Sequence, residues 1–557
     1  MEYERAKLDE LRGRRFDLAV VGGGINGAGI AQEAASRGLR VLLAEQADFG
    51  SGTTWRSTKL IHGGLRYLEH GELRLVFESL RERKVLLRLA PGQVRPLRFL
   101  LPVYRGYRRH PALIRLGLTL YDLLSLGSGL PGHRQLSSAE LARLEPSLAQ
   151  DGLKGGFSYY DGQALYPERL CLEYVLAARR AGAETLNHCE VTAIDVQERR
   201  ARGLQLRDRL SGVEAYVEAK AIVNAAGPWV DTVLQRTGRT VPRQIGGTRG
   251  SHIMVDYAGR GPRHAIYSEA GQDNRPFFIV PWRALHLIGT TDLRFQGNPE
   301  GVLPSDEEIA YLVREANRRL PDLRLATDDV LYAYTGIRPL PYTAGGAEGS
   351  ITRRHIIRDH ARDGLAGLYS ILGGKLSTFR SLARQAVERI AAQEKLALRT
   401  RQPAGQPFAL DTSGVEEYLV DRQDLRFLST FYGARTAGVL RLVDESPSLG
   451  ARLCSHGPEI AAQVVYAVRE ELAVTAGDVL LRRIGSGWNA CLGLDCAAEV
   501  ARVLLQATGR DQKDGPKLVE EYRTELAATV RSPAAGLSPG EPLARATRSM
   551  SSNMRPP

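Results

Sequence analysis

A glycine-rich segment near the start of the chain has the residue types and the spacing that bind a phosphate group. Residues 22–27 read GGGING, so that Gly22, Gly24 and Gly27 occupy the glycine positions of the pattern G-x-G-x-x-G. The first glycine permits a tight turn, the second lets the backbone approach a pyrophosphate, and the third lets a helix pack closely on a strand. Glu45 follows about 20 positions later, where a carboxylate can accept hydrogen bonds from a ribose diol. The segment therefore predicts a dinucleotide-binding site.

Apolar strands and an intervening helix are expected to position these residues. Residues 16–21 (FDLAVV) and 39–44 indicate buried parallel strands, and the alanine-rich residues 30–37 indicate a helix. A third apolar strand opens into the sequence AAGPW, where Ala226 and Gly227 would let a cofactor pass close to the backbone. The fingerprint does not separate NAD from FAD, so both cofactors stay open at this point.

Composition is typical of a large folded protein with a preference for anionic partners. The 557 residues include 75 basic and 63 acidic side chains, which gives a formal net charge of +12, and 43% of residues are hydrophobic. That apolar share excludes disorder for most of the chain, and the length predicts about two to four domains or one large α/β domain with an appendage. The positive charge favours lipid surfaces, nucleic acid or phosphorylated substrates.

Cysteine usage and hydropathy indicate the compartment. The five cysteines include no CxxC pair, so we expect neither a disulfide framework nor a zinc site, and no other metal site. No window of about 18 apolar residues predicts a transmembrane helix, and the mixed-charge N-terminus lacks the apolar region of a signal peptide. We therefore expect a cytosol-facing protein.

The last third of the chain differs in character from the rest. Pro403 and Pro407 indicate a linker, and the periodic segments that follow predict an all-helical domain over residues 408–531. Residues 532–557 are rich in Pro and Ser, and we expect a disordered tail there. No internal repeat is evident.

Seven further motifs carry a family resemblance. They are TKLIHGGLRYL (58–68), RGSHIMV (249–255), FFIVPW (277–282), GTTD (289–292), TGIRPL (335–340), ITRRH (351–355) and LGGKLSTFR (372–380). In content and order they closely resemble the FAD-dependent, quinone-linked (aerobic) glycerol-3-phosphate dehydrogenases, over roughly residues 14–395. The resemblance departs from the family at Trp55-Arg56, where small residues are usual, and at residues 485–488 (GSGW).

The resemblance implies an α/β fold in two interleaved parts. A Rossmann-like FAD-binding domain would alternate with a mixed-sheet substrate domain over residues 14–400, followed by the all-α C-terminal domain. The FAD-binding segments would be about 14–90, 160–250 and 350–395. The implied reaction is oxidation of sn-glycerol 3-phosphate to dihydroxyacetone phosphate, with hydride passing to FAD and electrons passing on to a membrane quinone.

The resemblance also implies site residues with separate tasks. Arg338, Arg353 and Arg66 are expected to bind the substrate phosphate, because the planar guanidinium fork matches phosphate geometry. Tyr67 and Thr291 are expected as further substrate contacts. The expected cofactor contacts are Gly22, Gly24, Asn26, Gly27, Glu45, Thr53, Thr54, Ser57, Lys59, His62, Gly63, Val191, Ala226, Gly227, Gly374, Leu376, Ser377 and Thr378.

Two residues are candidates for proton transfer. His252 is favoured as the base, since the ordinary pKa of histidine lies near 6.5. Lys375 is favoured as an electrostatic partner, because a lysine must first lose its proton before it can act as a base. Together with Arg338 they form the expected catalytic set, and the choice between His252 and Lys375 as the base stays open.

A quinone acceptor requires contact with the membrane. Residues 95–121 combine six arginines with aromatic and aliphatic residues, and we weigh a peripheral segment on anionic lipid at the inner face of the cytoplasmic membrane against a solvated basic face. Three rival functions remain: an oxidase that reduces oxygen with the same substrate, an FAD-dependent amine or amino-acid oxidoreductase, and a nucleic-acid-binding protein, which the absence of a binding module disfavours. The oligomeric state stays open, with a homodimer as one option.

Overall fold

The structure is a computed structural model that describes residues 7–345, 351–400 and 422–532. The predicted linker with Pro403 and Pro407 lies outside the described residues, as does the predicted tail apart from Ser532.

Helices and strands alternate over most of the described chain. The strands are β1 (Arg15–Val21), β2 (Val41–Ala44), β3 (Leu60–Ile61), β4 (Val94–Tyr104), β5 (Arg134–Leu136), β6 (Leu153–Ala164), β7 (Glu184–Leu186), β8 (Cys189–Gln197), β9 (Arg200–Asp208), β10 (Glu214–Asn224), β11 (Thr248–Val255), β12 (Ala265–Glu269), β13 (Pro276–Trp282), β14 (Leu285–Gly289), β15 (Leu293–Arg294), β16 (Val330–Arg338), β17 (Ile356–Asp359) and β18 (Leu368–Leu372). The α-helices are α1 (Ile25–Ser36), α2 (Leu73–Leu89), α3 (Pro111–Leu124), α4 (Ser138–Leu144), α5 (Pro167–Arg180), α6 (Val230–Gln235), α7 (Asp306–Arg319), α8 (Phe379–Gln393), α9 (Arg422–Tyr432), α10 (Thr436–Glu445), α11 (Ala461–Glu470), α12 (Ala497–Thr508) and α13 (Gly515–Ala527).

The first sheet is built on the apolar strands that the sequence predicts near residues 16–21, 39–44 and 219–224. Its main order is β17-β18-β10-β1-β2-β7, and the antiparallel hairpin β8–β9 pairs onto β10. The five strands from β18 to β7 run parallel. Helices α1, α5 and α8 pack on one face and a second apolar cluster covers the other, so both faces are buried, as a parallel sheet requires.

The second sheet is mixed and has ten strands. Its main order is β15-β11-β14-β13-β12-β4-β6-β3, with β16 paired to β11 and β5 paired to β6. The β4–β12 pair is parallel, whereas β4–β6 and the ladders around β11 are antiparallel. Helix α7 begins at a capping box formed by Ser305 and Glu308 and packs against this sheet.

The C-terminal region is helical, as the sequence predicts. Helices α9 to α13 and a π-helical turn (Asp478–Arg483) share one apolar cluster with the second sheet. Buried ion pairs fasten this region to the first sheet: Arg483 Nη1 lies 2.6 Å from Asp48 Oδ2, and Arg169 Nη1 lies 2.7 Å from Glu471 Oε2. The fold is therefore the predicted one, with two interleaved sheet domains and an all-α C-terminal domain.

Burial of β4 disfavours the interfacial alternative for the first part of residues 95–121. Residues 95–104 belong to β4, which is paired between β12 and β6, and Phe99 is 1% exposed. Arg109, in the loop that follows, forms 2.5 Å ion pairs with Glu69 and Glu269. The second part is α3. Among the described helices, none is both long and apolar enough to cross a bilayer.

Candidate active site

The glycine motif forms a turn in which side chains would collide with backbone. Gly22 has a φ of +105°, and a Cβ on it would lie 2.8 Å from the carbonyl oxygen of Ala225 at the end of the neighbouring strand. A Cβ on Gly27 would lie 1.9 Å from the carbonyl oxygen of Gly22. Helix α1 begins at Ile25, directly after Gly24, so the partial positive charge of its N-terminus is available to a pyrophosphate at this turn.

Glu45 is anchored at the edge of the same turn. Its Oε2 accepts a 2.6 Å hydrogen bond from the N–H of Gly23, and its Oε1 accepts one of 2.9 Å from the N–H of Ala47. Burial raises the pKa of the Glu45 carboxyl. The carboxyl group is thus held where the ribose diol of a dinucleotide would bind.

The motif LGGKLSTFR returns the chain to the glycine turn. Asn26 Nδ2 lies 3.4 Å from the carbonyl oxygen of Gly373, and a Cβ on Gly374 would lie 3.0 Å from Asn26 Nδ2. Ser377 Oγ donates a 3.1 Å hydrogen bond to the carbonyl oxygen of His62. Three predicted segments therefore meet at one place. Further predicted cofactor residues lie on the turns that border it: Gly63, Ala226, Gly227, Leu376 and Thr378.

Threonine hydroxyls bond the loop after β2 to helix α1 and to the second sheet. Thr54 Oγ1 accepts a 3.0 Å hydrogen bond from the N–H of Ile25, at the first turn of α1. Thr53 Oγ1 donates a 2.8 Å hydrogen bond to the carbonyl oxygen of Ile337 in β16. These bonds bring the loop between the glycine turn and the second sheet.

The two segments that depart from the family pattern, Trp55-Arg56 and residues 485–488, contact each other. Trp55 stacks on Trp488 of the helical region, with ring centroids 4.3 Å apart. Lys59 Nζ lies 4.8 Å from the centroid of the Trp282 ring and 3.4 Å from the carbonyl oxygen of Trp55. The N–H of Lys59 donates to Ser57 Oγ at 3.2 Å. The Lys59 side chain therefore lies in an aromatic core, and its contact with a cofactor stays a prediction.

A cavity of about 290 Å³ adjoins the glycine turn and lies against the second sheet. The predicted site residues that line it are Thr53, His62, Arg66, Tyr67, Arg338, Arg353, Gly374 and Lys375.

Cationic groups predominate in this cavity. Arg338 Nη1 lies 3.0 Å from Asp292 Oδ1, Arg353 Nη2 lies 3.2 Å from Asp292 Oδ2, and Arg66 and Arg275 also line the wall. Burial alone would raise the pKa of Asp292, but the two guanidinium groups hold it below its ordinary value. Burial, together with the charges of Arg353 and Arg66, lowers the pKa of Arg338. Two arginines that share one carboxylate leave positive charge for an anionic ligand.

Lys375 adds a further cationic group to the wall. Its Nζ lies 3.6 Å from the centroid of the Tyr67 ring and forms no hydrogen bond with the described residues. Burial lowers the pKa of Lys375 to about 7, and the charge of Arg353 acts in the same direction. A buried ammonium group with this environment is poised to bind an anion.

A buried network behind His62 was not predicted from the sequence. Asp161 Oδ1 accepts hydrogen bonds from Arg83 Nη1 at 2.5 Å and from the N–H of Gly63 at 3.2 Å, and the Tyr121 hydroxyl donates to Asp161 Oδ2 at 2.7 Å. Burial lowers the pKa of His62 to about 4, so the imidazole is neutral at physiological pH. Asp161 lies on β6 and Arg83 lies on α2. No sequence motif contains both residues, and they meet only because the helix packs beside the strand.

His252, the predicted base, lies behind the cavity wall. Its side chain is 2% exposed, its Nε2 lies 2.9 Å from Thr58 Oγ1, and its ring stacks on Tyr334 with centroids 5.0 Å apart. Burial and the charge of Arg338 hold the pKa of His252 well below its ordinary value. Thr58 lines the cavity, whereas His252 contacts it only through Thr58, and the predicted role of His252 as the base stays a prediction.

Two further predicted residues lie away from the cavity wall. Thr291 Oγ1 donates to Glu308 Oε1 at 2.8 Å and accepts from the N–H of Ser251 at 2.8 Å, so its hydroxyl belongs to a buried network. Its neighbour Thr290 lines the cavity wall, and the predicted contact of Thr291 with the substrate stays a prediction. Val191 is buried in the apolar core beside the first sheet, and its predicted contact with the cofactor stays a prediction.

The residues present fit a bound dinucleotide. The glycine turn excludes side chains where a pyrophosphate would pass, Glu45 is anchored for a ribose, and Asn26 Oδ1 is buried without a hydrogen-bond partner among the described residues. The fold and the adjoining cation-lined cavity define a dinucleotide-binding protein of the two-sheet class with a site for an anionic ligand.

Comparisons with known proteins identify the branch of this class. The family model "FAD dependent oxidoreductase" matches residues 17–378, and the model "C-terminal domain of alpha-glycerophosphate oxidase" matches residues 405–514. A glycerol-3-phosphate dehydrogenase of Synechocystis sp. is 43% identical over 92% of this chain and 96% of its own length. A D-erythritol 1-phosphate dehydrogenase of Brucella abortus is 37% identical over 84% of this chain and 93% of its own length.

A solved structure agrees with these relatives. The glycerol-3-phosphate dehydrogenase of Bacillus halodurans, in complex with FAD, has a TM-score of 0.75 and 28% identity, and the match covers 94% of this chain and 96% of that one. The chain belongs to the FAD-dependent glycerol-3-phosphate dehydrogenase family, and its cofactor is FAD.

Proposed function

We propose that this chain oxidises sn-glycerol 3-phosphate to dihydroxyacetone phosphate and passes the electrons to a quinone in the membrane. The observation that carries the proposal is the cavity beside the glycine turn, where Arg338 and Arg353 share the single carboxylate of Asp292 next to Lys375. The names of the family relatives support the choice of substrate.

The arginine pair and Lys375 would hold the phosphate. Planar guanidinium groups bind phosphate through paired hydrogen bonds, and in a buried site such bonds are stronger than in water. The incoming dianion would compete with Asp292 for Arg338 and Arg353. It would also raise the pKa of Lys375 again, because an adjacent negative charge favours the ammonium form. An amine offers no anion to these groups, and an amino acid offers a singly charged carboxylate in place of a phosphate dianion, which disfavours the amine-oxidoreductase alternative.

His62, and not His252, would take the proton of the substrate's secondary hydroxyl. His62 lines the cavity in its neutral form, whereas His252 is separated from it by Thr58. As His62 accepts the proton it becomes an imidazolium, and the nearby carboxylate of Asp161 favours that form. His252 would then position Thr58 through the 2.9 Å contact between Nε2 and Oγ1.

Bound FAD supplies the hydride acceptor. The protein would contribute the fixed turn ahead of α8, whose Ser377 is bonded to the backbone of His62, so that the base and the cofactor cradle are held together. The N-terminus of α8 adds partial positive charge, which favours a negatively charged ring system nearby.

The membrane contact would use α2 and α3 instead of β4. Large apolar side chains that are 49–73% exposed cluster on these helices and just after them: Leu73, Phe77, Leu113, Leu116, Leu123 and Leu126. Exposed arginines alternate with them, namely Arg74, Arg81 and Arg115. Apolar anchors mixed with basic side chains are typical of helices that lie in the headgroup region of anionic lipid. We therefore propose peripheral binding at the inner face of the cytoplasmic membrane.

A substrate panel tests the assigned reaction. The purified holoenzyme is assayed with an artificial electron acceptor and sn-glycerol 3-phosphate, D-erythritol 1-phosphate, glycerol or glycine. We expect the highest kcat/KM with sn-glycerol 3-phosphate and no measurable turnover of glycerol or glycine. A higher kcat/KM with D-erythritol 1-phosphate would move the function to that four-carbon substrate, and turnover of glycine would overturn the proposal.

The identity of the electron acceptor is tested by measuring turnover and hydrogen peroxide in air. We expect a soluble quinone analogue to support turnover in air with little hydrogen peroxide, whereas stoichiometric peroxide would identify an oxidase.

Co-sedimentation with anionic vesicles tests the membrane contact. Co-sedimentation is expected for the wild-type protein and is expected to fall for Leu116→Glu/Leu123→Glu. Leu210→Glu, at an equally exposed leucine on a distant hairpin, is the matched control.

A further inference from the structure

A cluster of cysteine and histidine side chains lies in the helical region, away from the cavity. Cys454 and His456 lie in the loop before α11, and Cys491 and Cys496 lie in the loop before α12. Cys454 and His456 are 35 or more positions from Cys491 and Cys496 in sequence, and none of these cysteines forms a CxxC pair, so the sequence gives no signal of a metal site.

The donor atoms converge on one point. Cys454 Sγ lies 3.5 Å from Cys491 Sγ and 3.4 Å from His456 Nδ1. These three atoms and a carboxylate oxygen of Asp495 all lie within 4.8 Å of one another. The Cys496 thiol lies in the same loop as Cys491 and donates a 3.4 Å hydrogen bond to the carbonyl oxygen of Gly493. Four ligands at about 2.3 Å in tetrahedral geometry would place two thiolate sulfurs about 3.8 Å apart, close to the separation found here.

The distance between the Cys454 and Cys491 sulfurs and the types of donor atom indicate which ligand the cluster would bind. A disulfide requires sulfurs about 2 Å apart, and Cys454 and Cys491 are farther apart than that. Thiolate and imidazole donors together select zinc among the common divalent ions, whereas calcium and magnesium require oxygen donors.

We propose that Cys454, His456 and Cys491 bind a structural zinc ion, with Cys496 or Asp495 as the fourth ligand. Cys496 offers a second-loop thiol that is 1% exposed, and Asp495 offers an oxygen 3.3 Å from His456 Nδ1. Binding of the ion displaces the protons of the ligating thiols, and no electron is transferred.

The ion would join two loops that both contact the second sheet. Arg283 donates to Glu459 Oε1 at 2.9 Å, beside the first loop, and to the carbonyl oxygen of Gly485 at 2.9 Å, at the start of the second. The second loop carries Trp488, which stacks on Trp55 of the loop that follows Glu45. Zinc would therefore fix the aromatic contact between the helical region and the cofactor domain.

Metal analysis of the holoenzyme tests the proposal. The protein is expressed with zinc and purified without chelator, and its metal content is measured by plasma mass spectrometry. We expect about one zinc per chain in the wild type and in Cys189→Ala, a control at a buried cysteine of the first sheet. Cys454→Ser and Cys491→Ser are expected to contain almost none. Comparison of Cys496→Ser with Asp495→Asn identifies the fourth ligand as the one whose loss lowers the zinc content.

A second readout keeps the proposal testable if the cysteine variants do not fold. His456 is exposed, so His456→Ala is expected to fold and to release zinc to a chromogenic chelator at least ten times faster than the wild type. Cobalt substitution is expected to give the near-ultraviolet charge-transfer band of metal-bound thiolate. A wild-type protein that neither contains zinc nor takes up added zinc would overturn the proposal, as would full zinc content in Cys454→Ser/Cys491→Ser.

Discussion

Two clusters of buried arginines differ in their electrostatic surroundings, which shift the pKa of the guanidinium group in opposite directions. At the junction between the first sheet and the helical region, Arg483 donates to both oxygens of Asp48, at 2.6 and 2.8 Å, and to the carbonyl oxygen of Glu471 at 2.9 Å. Burial alone would lower the pKa of Arg483, but Asp48 raises it above its ordinary value. In the cavity the balance is reversed, because burial and neighbouring cations lower the pKa of Arg338.

The difference separates a structural role from a binding role. A buried charge that is fully hydrogen-bonded has no capacity left for a ligand, and its loss leaves its partner unpaired. Arginines that share one carboxylate keep attraction for an incoming anion. We therefore expect junction variants to change stability and cavity variants to change kinetics.

The largest kinetic effect is expected at the proposed base. His62→Gln should lower kcat by about 10²–10⁴-fold, since this is the usual contribution of a positioned general base. The melting temperature and flavin content should change little. The matched variant His252→Gln should lower kcat less, because His252 acts through Thr58. A larger loss of kcat in His252→Gln than in His62→Gln would return the role of base to His252.

The largest stability effect is expected at the junction. Arg483→Met should lower the free energy of unfolding by about 1.5–3 kcal/mol, because Asp48 loses its bidentate partner while Arg482 Nε, 2.5 Å from Asp48 Oδ2, still donates to it. Denaturant unfolding measures this loss, and Arg502→Met, at an exposed pair with Glu499, is the control that should stay close to wild type. Unchanged stability in Arg483→Met would remove the contrast between the two clusters.

A smaller kinetic effect is expected at the phosphate site. Arg338→Met should raise KM and lower kcat/KM by about 10–150-fold, which corresponds to charged hydrogen bonds worth about 1.5–3 kcal/mol. Stability should change little or increase, since a partly compensated buried cation is removed. An unchanged KM for sn-glycerol 3-phosphate would show that Arg338 does not bind the phosphate.

The smallest effect is expected in the pH dependence of kcat/KM, where titration of Lys375 should cause a decrease on the alkaline side. Its pKa of about 7 means that the free enzyme holds the ammonium form below pH 7 and loses it as the pH rises. Because the charged form attracts phosphate, kcat/KM should fall on the alkaline side with an apparent pKa near 7. Lys375→Met should lack this decrease. A profile of the wild type that stays flat from pH 6 to 9 would contradict it.

Much of the fold was predictable because local signals agree with the tertiary structure. The apolar runs that became β1, β2 and β10 are buried on both faces, and the capping boxes at Ser137 and Ser305 begin helices α4 and α7. The start of α1 was not predicted, since glycines are poor helix formers. Gly29 is nevertheless required inside the helix, because a Cβ there would lie 2.9 Å from the Phe379 ring.

The site was predictable only where a motif fixes the backbone. The arginines and Lys375, which their motifs predict as site residues, line the same cavity, and their contacts with the substrate stay predictions. The choice between His62 and His252, or between Thr290 and Thr291, depends on which side chain a strand or loop turns toward the cavity. The Asp161–Arg83 pair and the cysteine cluster depend on contacts between segments far apart in sequence, for which a single sequence gives no signal.

The central claim is that the cavity selects a phosphorylated polyol as the electron donor to FAD. Anaerobic titration of the purified holoenzyme, followed by the visible absorbance of the flavin, tests it most directly. We predict bleaching by sn-glycerol 3-phosphate, no bleaching by glycerol at the same concentrations, and a requirement for more substrate in Arg338→Met. Equal bleaching by glycerol, or an unchanged absorbance after addition of sn-glycerol 3-phosphate, would contradict the claim.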